Sequence, residues 1–191
     1  MIGAPKRIAG VLGVVALLLA WAAGAEAASV PRYSLERLVD SSQFIVQGTV
    51  VRSWTGWDSE HKYVWTHSEI QVEETLRGAA QRTLVVSEPG GSLDGVRMLF
   101  TGTVPYTVGE RVVLFLMRTP IGFLRAAGGG QGKFTVGPDG HARASVQGFD
   151  VIGRSADRTQ TPLASLESLN LSQLKTRVRE LARTRPAPAS E

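Results

Sequence analysis

The side chains best suited to chemistry are three histidines, His61, His67 and His141, with Asp58 and Glu60 beside the first. Imidazole and carboxylate groups bind zinc when three or four of them converge, and they activate a serine when base and orienting acid line up. Neither arrangement is written in the spacing. On the strand expected around it, His67 falls on the face opposite Ile70 and Val72 and is expected to look into solvent. No Gly-x-Ser-x-Gly elbow occurs. The run Gly128-Gly129-Gly130-Gln131-Gly132-Lys133 invites a phosphate-loop reading, but the motif's leading glycine falls on Ala127 and its hydroxyl on Phe134. Those glycines are expected instead to turn the chain or admit a close backbone approach. The expectation is a chain with no catalytic residue, no bound metal and no cofactor.

Binding chemistry is better represented. Three of the four tryptophans lie between Trp54 and Trp65, and flat aromatic rings anchor protein interfaces or stack on sugars. Trp57, Asp58, His61 and Tyr63 are the candidate contact residues at the tip of a hairpin. Trp54 and Trp65 are expected to pair across its strands as packing.

Strand periodicity must position these residues. Phe44, Val46, Gly48 and Val50 alternate with Ile45, Gln47, Thr49 and Val51, with Gly48 marking a bulge or bend. Further strands are expected over Tyr63 to Leu76, Thr83 to Glu88, Phe123 to Arg125, Lys133 to Val136 and His141 to Val146. The unbroken apolar centre of Arg111 to Met117 predicts a strand covered on both faces. Met98 to Phe100 are expected to pair briefly, and Gly137-Pro138-Asp139-Gly140 to turn. Ser34 is placed to cap a short helix through Leu35, Leu38 and Val39, and Ser172 one through Leu174, Val178 and Leu181. Five or six short strands with a helix at each end predict a mainly β fold, a small antiparallel OB-like barrel; a two-sheet sandwich is the rival.

The first residues carry a different message. Lys6 and Arg7, an apolar run from Ile8 to Ala23 and then Ala25-Glu26-Ala27 have the pattern of a secretory signal peptide. The run is short of the roughly 20 apolar residues of a spanning helix. Residues 1–27 are therefore expected to be removed, leaving a secreted or periplasmic protein with no membrane span. Amino-terminal sequencing of exported material should begin at Ala28; a start at Met1 in a membrane fraction would identify an anchor instead. Cleavage removes Lys6, Arg7 and Glu26, leaving 19 basic and 16 acidic residues and a net charge of +3. That surplus is mild and thickens mainly from Lys175 to Arg185, a solvated helix face and not a nucleic-acid footprint. With no cysteine the chain holds together by burial alone. The expected organisation is a barrel over 28–147, a linker or irregular loop over 148–162, a helical segment over 163–185 and a disordered tail over 186–191.

From Leu38 to Val136 the order of features resembles a group of secreted bacterial proteins of uncharacterised function. The matching pieces are Leu38 to Gly48, Leu76-Arg77-Gly78, Pro89-Gly90-Gly91, Val108 to Leu116 and Gln131 to Phe134. The Gly48 strand, the Arg77-Gly78 close and Gly109-Glu110 before an apolar strand are also similar to the netrin-like domains of metalloproteinase inhibitors, over about half the chain. That likeness implies an OB-type barrel in an extracellular setting. It does not carry the inhibitory mechanism, which uses an amino-terminal cysteine where this chain would begin at Ala28. The leading functional expectation is a non-catalytic exported binding or interaction module, accessory to a secreted protease or envelope component. A polysaccharide-binding module and a hydrolase with an unrecognised site are the alternatives, and the partner is accordingly an unknown extracytoplasmic protein or polysaccharide.

Overall fold

The computed structural model describes residues 33–145 and 169–188, so the expected signal segment and the 148–162 linker lie outside the described residues. Among the described residues the fold is mainly β with two helices. Helix α1, Leu35–Asp40, begins at Ser34, whose Oγ accepts the Arg37 amide at 3.2 Å, and it buries Leu35, Leu38 and Val39. The strands are β1 Phe44–Trp57, β2 Val64–Arg77, β3 Thr83–Pro89, β4 Gly91–Leu93, β5 Val96–Met98, β6 Arg111–Arg118, β7 Leu124–Ala126, β8 Lys133–Val136, β9 His141–Ala144 and β10 Leu169–Asn170. Helix α2, Leu171–Thr184, is capped by Asn170 and not by Ser172, because the Asn170 carboxamide oxygen takes both the Ser172 amide at 2.9 Å and its hydroxyl at 2.7 Å.

Among the described residues ten strands replace the five or six short ones expected, and β1 and β2 run to 14 residues each. The discrepancy has a local cause. β1 shifts register against β2 at Ile45–Val46, at Gln47–Gly48 and at Val50–Arg52, and only the last leaves its extra residue, Val51, on β1. That last shift breaks the alternation read from the sequence, so a strand that continues to Trp57 looks finished at Val51. Gly48 is needed at the second irregularity: a Cβ there would stand 2.3 Å from the Gln71 carbonyl oxygen. Gly132 has a similar reason, since its Cβ would stand 2.7 Å from the Phe115 carbonyl oxygen, where the glycine-rich turn crosses β6.

Strand pairing runs β1–β2–β3–β7–β6–β8–β9–β10, and β6 pairs with β1 as well. All pairs are antiparallel except β3 with β7, which meet at Val86 and Leu124. β6 carries the core on both faces. Val113 and Phe115 join Leu38, Ile45, Phe134, Leu174 and Val178 beneath the two helices. Val112, Leu114 and Leu116 join Val46, Val50, Ile70 and Val86 on the other side. The apolar stripe of α2 is thus docked on the first cluster, and β4 with β5 forms a separate small hairpin.

Candidate binding surface

The β1–β2 hairpin closes with Trp57 opposite Val64. Asp58 builds the turn: its Oδ1 accepts the amides of Lys62 at 2.7 Å and Tyr63 at 3.2 Å, and its carbonyl accepts the His61 amide at 3.0 Å. The Lys62 amide, helped by that of Tyr63, holds the Asp58 carboxyl below its ordinary range against the opposing effect of desolvation. His61 pays for its place in the turn with a left-handed φ of 53°. Trp57 is half-buried and not a free tip residue. Its indole N–H donates to Asp94 Oδ2 at 2.9 Å at the turn of the β4–β5 hairpin, and its ring stacks on His61 at 6.2 Å. Tyr63 remains exposed and meets Phe100 edge-on at 5.9 Å.

The flanking tryptophans do not pair with each other. Register sets Trp54 opposite His67 and Trp65 opposite Gly56. Trp54 stacks on His67 at 5.4 Å, His67 meets Phe123 edge-on at 5.6 Å, and Phe123 meets Trp65 edge-on at 4.9 Å. The Arg52 guanidinium lies over Trp54 at 4.8 Å. Alternation puts Arg52, Trp54, Trp65 and His67 on one face of the ribbon, and the β6–β7 turn delivers Phe123 onto it. His67 is therefore half-buried among rings where the sequence predicted solvent, and this burial lowers its pKa from the ordinary histidine value. Phe123 and Arg52 were not legible as partners of the tryptophans, because their contacts depend on a long-range turn and on the bulge at Val51.

A hydroxyl does stand beside His67. Ser87 Oγ lies 2.8 Å from His67 Nδ1, but the serine is only 2% exposed beneath the ring, so the bond orients the imidazole and presents no nucleophile. His141 meets Asp139 at 3.6 Å on the exposed β8–β9 turn. Among the described residues no three histidine or carboxylate side chains gather as a metal set.

A second polar cluster lies elsewhere. Lys133 Nζ donates to Glu110 Oε2 at 2.8 Å and to the Pro105 carbonyl at 2.5 Å, and Thr135 donates to Glu110 Oε1 at 2.5 Å. These residues border a cavity of about 410 Å³ with Val104, Thr107 and Arg143. Both Glu110 oxygens are committed to structural donors. Glu88 is similarly held, by Arg125 and the Ala126 amide, although desolvation pushes its pKa up.

No protein-family model matches the chain, and no curated protein matches it. Among the described residues no helix is long and apolar enough to cross a membrane.

Proposed function

We propose that this chain is an exported, non-catalytic binding module built on a small OB-type barrel, and that its contact surface is the aromatic outer face of the β1–β2–β3 ribbon. The pairing circuit β1–β2–β3–β7–β6–β1, with β3 and β7 parallel, supports the barrel. In barrels of this type the ligand lies on strands two and three, between the loop after strand one and the loop joining strands four and five. The corresponding places here are the Trp65–His67 face, the 58–63 turn and the turn that carries Phe123. An OB-type barrel is also what the resemblance to netrin-like domains implies.

The observation that carries the reading is the unbroken series of ring contacts from Trp54 through His67 and Phe123 to Trp65, half-buried on a face that no other element covers completely. A protein partner fits it best. Arg52, His67 and Phe123 already occupy sides of the tryptophans, which leaves a shaped aromatic and arginine surface in place of open platforms for sugar rings, and tryptophan and arginine dominate protein interfaces.

The test immobilises proteins and glycans extracted separately from the envelope of the source cell and measures retention of the exported protein on each. Retention on the protein arm is expected. Trp65→Ala should weaken it about thirtyfold, equivalent to about 2 kcal/mol, with thermal melts confirming that the variant is folded. Retention on the glycan arm alone would favour the polysaccharide reading, and a Trp65→Ala variant retained like the parent would sink the proposed surface.

A further inference from the structure

The outer edge of β1 loses its neighbour halfway along. β6 pairs with β1 from Phe44 to Thr49, and Val50 completes that ladder through Glu110 and Gly109. Residues 52–57 pair with β2 on one side and, among the described residues, with no strand on the other. The β4–β5 hairpin lies against the face and leaves this edge unpaired: Gly91 sits against Thr55, Thr66 and Val64, and Ser92 takes the Thr55 hydroxyl.

Hydrogen-bond parity shows which groups look outward. The Asp58 amide donates to the Tyr63 carbonyl, so Asp58 is directed at β2. The Val64 carbonyl accepts from Gly90, on the β3 side, so its opposite number Trp57 is directed away from β2. Alternation then turns the backbone groups of Ser53, Thr55 and Trp57 to the open side. Such edges are commonly blunted with charge or proline. This one carries Arg52 as its only charge.

Gly56 indicates what the edge accepts. Glycine weakens a strand interior, and there it commonly marks the close approach of another backbone. Nothing inside this chain asks for it. Its φ is not left-handed, and an added Cβ would meet only the His67 ring, at 3.8 and 4.0 Å, which is ordinary contact.

We infer that this edge pairs with the same edge of a second copy, antiparallel about a two-fold axis through Thr55. An isologous contact repeats every pairing twice. In this register Thr55 meets the partner's Thr55 and Ser53 meets the partner's Trp57 as hydrogen-bonded pairs, using the outward backbone groups. Trp54 meets the partner's Gly56 and Arg52 meets the partner's Asp58 as non-hydrogen-bonded pairs, whose side chains come closer together. The bare glycine makes room for the indole, and the arginine faces a carboxylate. Of axes through the other outward-facing residues, one through Ser53 drives the partner's Trp57 against Thr49, which already pairs with β6, and one through Trp57 runs the partner off the hairpin. The inference uses the edge of the ribbon and is independent of what binds its face.

Sedimentation of the exported protein over a wide concentration range tests it. The expected result is a concentration-dependent species of twice the mass of one chain. Gly56→Val should sediment as a monomer where the parent is dimeric, while its circular dichroism matches the parent's and its thermal melt remains cooperative, since the added Cβ meets only the His67 ring, at ordinary contact distance, within one chain. Thr55→Cys supplies a second reading: this chain has no other cysteine, hydrogen-bonded pairs stand about 5.5 Å apart at Cα, and disulfides span that distance, so oxidation should give a linked dimer on a non-reducing gel. A parent that stays monomeric to its solubility limit overturns the inference. So does a Gly56→Val protein that dimerises like the parent, or a Thr55→Cys protein that does not cross-link under conditions where the parent is dimeric.

Discussion

Leu114→Ala is expected to lower stability by about 2 to 5 kcal/mol, a large share of the roughly 5 to 15 kcal/mol available to a domain. Leu114 is fully buried in the cluster formed by Val46, Ile70, Val86 and Leu116. Its backbone is held on both sides, opposite Val46 of β1 and Lys133 of β8. A strand bonded on two edges has little freedom to collapse into the space left by the missing isobutyl group, and the cost of a cavity rises as collapse is prevented. The neighbouring Met117 gives the contrast: it is 39% exposed on the same strand, and Met117→Ala should change stability by no more than about 0.5 kcal/mol. Denaturant unfolding of both variants checks the pair. Equal midpoints would mean that β6 is not the centre of the core.

That strand was readable from sequence because burial on both faces removes the need for alternation, leaving Val112 to Leu116 as an apolar run that no surface strand would carry. α1 was equally legible, since Ser34 and the Leu35, Leu38 and Val39 spacing are local signals whose partners lie within one turn. The far half of β1 was not. Of the three register shifts between β1 and β2, the one at Val50–Arg52 leaves Val51 as an extra residue on β1 and inverts the face of every later residue, and a bulge is a property of the pair of strands that a single strand's pattern does not show. The candidate surface inherits this limit. Concentration of tryptophan between Trp54 and Trp65 marked the region, but which rings touch depends on pairing Trp54 with His67 and on a turn that brings Phe123 from a distant part of the chain. The Asn170 cap was displaced from Ser172 for a smaller reason: both side chains are competent caps, and β10, which sets where the chain enters α2, pairs with β9 through Leu169 and Asn170.

Lys133→Met is expected to cost about 3 kcal/mol at neutral pH, the low end for breaking a buried pair, because Glu110 keeps 15% of its side chain exposed while Lys133 keeps 4%. The lysine itself has an apolar replacement of similar length, so little of that loss comes from volume; most comes from leaving a carboxylate in a poorly solvated place without its cation. Acidification should expose this cause. Desolvation alone would raise the Glu110 pKa, but the bonds from Lys133, Thr135 and the Thr107 amide outweigh it, and the folded value lies below the ordinary one. A depressed carboxyl pKa contributes stability that is present above the unfolded pKa, about 4.3 for glutamate, and is lost as pH falls through the folded value. In Lys133→Met the lysine's share of that contribution is already missing, so the gap between variant and parent should narrow steadily as pH falls below about 4.3. Glu88, whose pKa burial raises, is present in both proteins and cancels from the difference. Lys133→Met combined with Glu110→Gln should recover much of the loss at neutral pH, since no unpaired charge then remains buried. A gap of constant size from neutral pH into acid, with no recovery in the double variant, would assign the loss to packing around Tyr106, whose ring lies 4.7 Å from the ammonium, and would remove the ion pair from the account of what holds β8 to the 105–110 segment.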